Sequence, residues 1–263
     1  MRTKMRILKL GGSVVTVKDK PFTPDAGNIK RLAEEVTSSG PQPLIIVHGG
    51  GSYGHPVAKE YSISGGYKES RQLPGFSKTH QAMVELNRII VNSLLDADVP
   101  AFSLSPSSFI ATEAKRITSV DASIVKALLG SGMVPVLYGD AVVDTQQGFA
   151  ILSGDQLVTK LASSLKAERI VMGSDVDGVY TADPKLVKEA RLIPVLSLRE
   201  LEGMVKIGEA LNTDVTGGML GKVREAAAAA EAGVEVVLVN AGKPGRVRAA
   251  LRGEKVIGTV LTV

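Results

Sequence analysis

Cysteine and tryptophan are both absent from the chain. Without cysteine there is no disulfide, no thiolate nucleophile and no cysteine-type zinc site. Aromatic residues make up 4% of the sequence, too few to build the stacking platforms that hold single-stranded nucleic acid, so no nucleic-acid partner is expected. No stretch approaches the ~18 consecutive apolar residues of a membrane span, and no membrane association is expected. Met1–Ile7 has no apolar secretory segment, which makes a cytoplasmic location the expectation. Charge is not one-sided either: 31 Lys and Arg against 27 Asp and Glu leave a formal net charge of +4. That excess fits a solvated lysine surface, or lysines gathered around a phosphate-bearing ligand. Hydrophobic residues at 44% of 263 positions are enough for one large domain or two closely packed lobes. The alanine run Ala226–Ala230 reads as a tightly packed helix.

What is present is a repeated alternation of short apolar runs and helical patterns. Leu44-Ile45-Ile46-Val47-His48 leads directly into Gly49-Gly50-Gly51. A continuous apolar run of that length is a strand covered on both faces, as in a parallel sheet. Arg6–Leu10, Pro100–Leu104, Met133–Asp140, Arg169–Met172, Val236–Val239 and Val256–Leu261 also read as strands, the last one at an edge. Ala141–Leu152 alternates about a turn and reads as a hairpin. Helices are expected over Asp25–Ser39, with Asp25 as N-cap, and over Thr79–Leu95, Val120–Leu129, Gln156–Leu165, Leu198–Ile207 and the alanine-rich stretch ending near Gly233. Residues 56–80, with Gly65-Gly66 and Pro74-Gly75, read as an irregular excursion. The alternation implies an α/β fold with a largely parallel sheet covered on both faces.

Glycine-rich turns stand at 11–12, 49–51, 154 and 217–218, each at a strand exit or a helix entrance. Such turns let an anion approach backbone N–H groups, and open α/β sheets bind ligands outside the carboxyl ends of their strands. Neither the P-loop spacing nor Gly-x-Gly-x-x-Gly occurs in the required context. Lys9 sits inside an apolar strand, where a lysine is costly to bury unless it snorkels or meets an anion. Lys222 falls in a helix's first turn, a poor place for a cation unless a phosphate is held there as well. Lys18 alone reads as solvated surface. Asp155 either caps a helix or aligns lysines. Among the histidines, His48 ends a buried strand and reads as structural, and His80 opens a helix and reads as structural or surface. His55 follows the glycines and faces the expected ligand. No His and carboxylate spacing suggests a metal site.

Taken together, Lys9-Leu-Gly-Gly-Ser13, His48-Gly-Gly-Gly51, Ser153-Gly-Asp155, Asp175-Val-Asp-Gly-Val-Tyr-Thr-Ala-Asp-Pro184 and Asp214-Val-Thr-Gly-Gly-Met219 with Lys222 resemble the amino acid kinase family, in order and over nearly the whole chain. The resemblance implies an αβα sandwich with a largely parallel open sheet. Residues 1–165 would form an acceptor-binding lobe and 166–263 a nucleotide-binding lobe, on one continuous sheet. It also implies transfer of the γ-phosphoryl group of ATP, with Mg2+ carried by the nucleotide. His48-Gly-Gly-Gly-Ser-Tyr-Gly-His55 is most similar to isopentenyl phosphate kinases, whose acceptor is isopentenyl phosphate; the relatives that phosphorylate fosfomycin are similar too.

By that resemblance His55 would hydrogen-bond the acceptor phosphate. Lys9 and Lys222 would hold the ATP phosphates, Lys18 would stabilise the transferred group, and Asp155 would orient the lysines. Gly11, Gly12, Ser13, Gly51, Asp175, Tyr180 and Gly217 would lie along the nucleotide, and Gly50 and Gly154 would contact the acceptor. Phe76, Met83 and Ile151 are candidates for an apolar pocket around the acceptor tail, or ordinary core. A homodimer through the acceptor lobe is expected from the same relatives. A fosfomycin-type or UMP kinase is the alternative enzyme, and a nucleotide-binding or storage protein the non-enzymatic one. The joint presence of Lys9, Lys18, Lys222 and Asp155 argues against the last.

Overall fold

Strand β1 (Arg6–Leu10) shows how the sheet divides the protein. Leu8 and Leu10 enter one apolar cluster with Leu32, Leu86 and Val247, whereas Ile7 enters the opposite cluster with Leu157, Leu161 and Val223. Side chains of a strand alternate between faces, so one apolar run supplies both cores. Lys9 therefore shares the face of Ile7. The computed structural model describes residues 5–182, 184, 186–203 and 219–263.

In chain order β1 is followed by a one-turn helix α1 (Gly12–Val15), α2 (Ala26–Ser38), β2 (Leu44–His48), α3 (Gly51–Glu60), α4 (Gln72–Asp96) and β3 (Ala101–Ser103). Next come β4 (Ile110–Glu113), β5 (Arg116–Val120), α5 (Ser123–Gly130), β6 (Val134–Tyr138), β7 (Asp140–Asp144), β8 (Gly148–Leu152) and α6 (Gly154–Leu165). The remainder is β9 (Arg169–Ser174), β10 (Val195–Ser197), α7 (Met219–Glu231), β11 (Glu235–Asn240), α8 (Arg246–Arg252) and β12 (Gly258–Thr262). Among the described residues the main sheet has eight strands in the order β10-β12-β11-β9-β1-β2-β6-β3, parallel from β11 to β3. A second sheet, β5-β4-β7-β8, is bonded separately and packs Ile110, Val142 and Leu152 into the same cluster as Ile7. Helices α2, α4 and α8 supply one apolar cluster and α5, α6 and α7 the other, which makes the αβα sandwich. Among the described residues no helix is long and apolar enough to cross a membrane.

The departures from the sequence reading have local causes. Helices α3 and α4 take up the two ends of what reads as an irregular stretch, residues 56–60 and 72–80, with Pro56 inside α3. A proline lacks the N–H that would bond to the carbonyl of Ser52; here the N–H of Phe22 donates to that carbonyl instead, at 3.1 Å. Helix α4 starts seven residues before the expected Thr79. Pro74 lies in its first turn, where proline is tolerated, and Gly75 is required because a Cβ there would sit 2.1 Å from Cγ of Tyr61. His80 is thus in mid-helix rather than at a helix start. Val120 belongs to β5, and α5 begins only at Ser123. Strand β12 is not at an edge: β10 pairs outside it, and it runs antiparallel to β11. Asp25 caps α2 as expected, accepting from Asn28 N–H at 3.0 Å. The expected helix from Leu198 is described only over 198–203.

His48 projects from β2 toward α4, and it is fully buried. Its Nε2 lies 3.2 Å from Asn87 Oδ1, and its ring stacks on Tyr138 at 5.5 Å. Burial lowers its pKa to about 4, although contacts with Gly49, Asn87 and Asp140 pull the other way. Between pH 6.5 and 4 the unfolded chain therefore binds a proton that the folded chain refuses, and stability falls as pH drops through that window. The expected loss is on the order of 3 kcal/mol by pH 4, at about 1.4 kcal/mol per pKa unit. Urea titrations at pH 7 and pH 4.5 should show this decline, smaller in His48→Gln; equal pH dependence in the two proteins would contradict it. His80 acts in a different window. Its hydrogen bond to Asp140 raises its pKa, so its stabilisation is complete below 6.5 and is lost as pH rises through the higher folded value.

Candidate active site

Alternation along β1 aims Lys9 at the start of α6, where its Nζ lies 2.7 Å from Asp155 Oδ1. The Lys9 side chain is 6% exposed and that of Asp155 is 15% exposed, so this pair is largely withdrawn from water. Ser153, not Asp155, caps α6, accepting from Asp155 N–H at 3.2 Å. Lys222 lies in the first turns of α7. Burial lowers its pKa first and repulsion by Lys9 second, while Asp155 and Asp175 oppose the shift. His55, in the second turn of α3, is exposed to water yet walled in enough that desolvation depresses its pKa, with repulsion from Lys222 adding to the effect. Lys9, Asp155, Lys222 and His55 come from four elements and line one cavity.

The glycine loops have a tighter purpose than leaving room for an anion. A Cβ on Gly12 would lie 2.2 Å from the backbone N of Gly51, and one on Gly49 would lie 2.8 Å from N of Gly12. The loops after β1 and β2 thus touch backbone to backbone. Gly51 adopts φ +46, and a Cβ there would lie 2.1 Å from Thr16 Oγ1. Thr16 fastens the two loops, its hydroxyl donating to Gly12 O at 2.8 Å and accepting from Ser52 N–H at 3.0 Å. Nothing in the sequence singles out Thr16, whose role depends on a partner 36 residues away.

The cavity measures about 1310 Å³, more than the roughly 300–1,000 Å³ typical for one small ligand. Lys9, Lys18, Lys222 and His55 line it together with Gly12, Ser13, Gly50, Gly51 and Gly154. The first turns of α3 and α6 open onto it, and helix N-termini favour negative charge. Met83 and Ile151 line its apolar part, and the sulfur of Met83 lies where a Cβ on Gly54 would approach within 2.8 Å. Among the described residues three carboxylates line the cavity, and each has a cationic or imidazole partner. Asp155 faces Lys9; Asp140 Oδ1 is 2.9 Å from His80 Nδ1; Glu225 Oε1 is 2.5 Å from an Arg116 nitrogen. His80 and Arg116 stand outside the lining.

Other expected site residues lie further off. Gly11 stands behind the loop, its N–H donating to Gly173 O at 2.8 Å. Asp175 lines a neighbouring pocket of about 400 Å³ with Asn240 and Arg31, and Ser13 borders both spaces. Tyr180 points its hydroxyl at Asp177, 3.4 Å away, and Asp177 accepts from Arg246 at 2.6 Å and from Asn240 at 3.0 Å. Phe76 stands a layer back from the cavity, its ring stacked on Phe149 at 4.9 Å. Gly217 lies outside the described residues. The sequence reading missed Asp140, Arg116 and Glu225. Glu225 follows Lys222 at helical spacing and could have been suspected, but the partners of Asp140 and Glu225 are remote in sequence.

Comparison with known proteins agrees with this geometry. The Amino acid kinase family profile matches residues 4–240. Isopentenyl phosphate kinase of Methanothermobacter thermautotrophicus is 44% identical over 98% of this chain and 99% of its own length. The enzyme of the same name from Thermoplasma acidophilum is 32% identical over 98% of this chain and 100% of its own length. An X-ray structure of an isopentenyl phosphate kinase superposes with a TM-score of 0.86 at 41% identity, covering 97% of this chain and 99% of that one. A UMP kinase from Ureaplasma parvum, 18% identical with a TM-score of 0.66 over 100% of both chains, shares the fold. The chain belongs to the amino acid kinase family, alongside the isopentenyl phosphate kinases.

Proposed function

We propose that the protein transfers the γ-phosphoryl group of ATP to a phosphate oxygen of isopentenyl phosphate, giving isopentenyl diphosphate and ADP. One observation carries this reading: a single cavity has a cationic end, where every carboxylate among the described lining residues is partnered, and an apolar part at Met83 and Ile151. That arrangement suits an anionic head with a short hydrocarbon tail beside a second phosphate-bearing ligand. The names of the relatives support the choice of acceptor.

Lys9 and Lys222 hold the ATP phosphates, and Asp155 orients Lys9. Lys18, at the rim, stabilises charge on the transferred group. Gly12, Ser13 and Gly51 follow the nucleotide along the cavity and Asp175 follows it in the adjoining pocket, with Gly11 and Tyr180 standing behind them; Gly217, beyond the described residues, is assigned to the nucleotide too. Gly50, Gly154 and His55 receive the acceptor phosphate, with Phe76 backing the tail pocket formed by Met83 and Ile151. Residues 1–165 form the acceptor-binding lobe, whose first glycine loops and Lys9 also reach the ATP phosphates, and 166–263 form the nucleotide-binding lobe. Magnesium arrives with ATP and supplies further charge neutralisation between the phosphates. A cytoplasmic homodimer completes the proposal; sedimentation of the purified protein as a monomer would remove the dimer from it.

Joining two anions requires their repulsion to be screened and their oxygens aligned, which is the work of fixed cations and helix N-termini. The acceptor oxygen is already ionised, so no strong general base is needed. Without ligands, burial and repulsion by Lys222 hold the pKa of His55 below its ordinary value, which favours the neutral imidazole at pH 7; neutral or charged, its ring N–H donates a hydrogen bond without removing a proton. An acceptor phosphate beside it raises that pKa. In His55→Ala, kcat/KM for isopentenyl phosphate is expected to fall about 10²-fold, the scale of losing one charge-directed donor. MgADP affinity should stay the same in that variant. An undiminished rate would remove His55 from the mechanism.

A further inference from the structure

The hairpin β4–β5 turns through Ala114 at φ 48 and Lys115 at φ 67. Two consecutive left-handed residues are the requirement of a tight hairpin turn, normally met by Asn-Gly or Gly-Gly, and neither alanine nor lysine suits it. Such strain persists where the surroundings over-determine it. Here Lys115 N–H donates to Asp144 at 2.7 Å and Lys115 O accepts from Gln156 Nε2 at 3.1 Å. Ile117 N–H donates to Gln156 Oε1 at 2.7 Å. Burial alone would raise the pKa of Asp144, but the donors of Lys115, Thr112, Gln147 and Gln146 hold it near 2. Gln156 is the neighbour of Asp155 on α6, so the tip of the hairpin is anchored at the head of the active-site helix.

What this anchored tip presents is Arg116. Its guanidinium donates to both carboxylate oxygens of Glu225, at 2.5 and 3.1 Å, a forked pair with fixed geometry. Glu225 lies one turn beyond Lys222 on α7 and lines the cavity. Its backbone carbonyl accepts from Thr159 of α6 at 2.9 Å, which fixes α7 against α6. Arg116 is 62% exposed and Glu225 28% exposed, so the pair contributes little to global stability. Its placement matters more. An unpartnered Glu225 would add negative charge to a cavity that receives phosphates, beside one of its key cations.

We propose that Arg116 is a positioning residue for phosphoryl transfer. Held by the strained β4–β5 tip, it neutralises Glu225 and keeps the phosphate end of the cavity cationic around Lys222. This rests on the reading of Lys222 as a phosphate ligand. The test is calorimetric titration with MgADP of the unaltered protein, Arg116→Ala and the double variant Arg116→Ala/Glu225→Gln, at low and high salt. Arg116→Ala should bind about tenfold more weakly at low salt, with the defect shrinking as salt screens the bare carboxylate. The double variant should recover to within about threefold, because the offending charge is gone. Thermal midpoints should coincide, which a merely structural role would not produce together with the rescue. Equal affinity in Arg116→Ala, or no recovery in the double variant, would overturn the proposal alone. No MgADP binding by the unaltered protein would overturn the Lys222 reading and this one with it.

Discussion

Gly12→Ala is expected to cost about 4 kcal/mol or more, the upper range for a single substitution. The added Cβ would lie 2.2 Å from N, and 2.5 Å from Cα, of Gly51. Both atoms are backbone, so no side chain can rotate away, and the two glycine loops must separate. Separation would break the Thr16 clasp and displace Gly50 and Gly51 from the cavity wall. For a chain of this size the thermal midpoint should drop by roughly 10 °C. Gly130→Ala makes the control, since nothing lies within 4 Å of its Cβ position and it ends a helix. That substitution should change stability by no more than about 0.5 kcal/mol. A Gly12→Ala protein melting with the unaltered one would mean that the loops do not interlock.

Lys9→Met should lower kcat/KM by about 10²- to 10³-fold, because it removes a buried charge aimed at the phosphates. It also leaves Asp155 without its partner at 2.7 Å, so a carboxylate would then face the anions. Two consequences can be separated with Lys9→Met/Asp155→Asn. Removing both charges should restore stability lost by leaving one ion of a withdrawn pair alone. Activity should stay low, since no cation is returned. A double variant with nearly full activity would reduce Lys9 to a structural role.

Much of this was legible in the chain. A lysine inside the apolar run of β1 is legible because alternation and burial cost leave it few uses, and the largely parallel, doubly covered sheet is legible from the continuous apolar runs, though the order of its strands is not. Legibility fails where a rule of local propensity is overridden from a distance. Pro74-Gly75 reads as a turn until Tyr61 packs on Gly75 and the proline falls in a first helical turn. Ala114-Lys115 gives no turn signal at all, since Asp144 and Gln156 hold the turn instead of glycine. The carboxylates Asp140 and Glu225 are visible as residues, but their partners lie 60 and 109 positions away. Even the glycines were legible as a loop and not as an interlock, because the neighbour of Gly12 is 39 residues further along.

The most direct measurement is ADP release with MgATP and, in parallel, isopentenyl phosphate, UMP, fosfomycin and N-acetylglutamate as acceptors. The geometry of one cationic cavity with an apolar part predicts rapid turnover of isopentenyl phosphate and little of the other three. Turnover of any of those acceptors in preference, with none of isopentenyl phosphate, would contradict it.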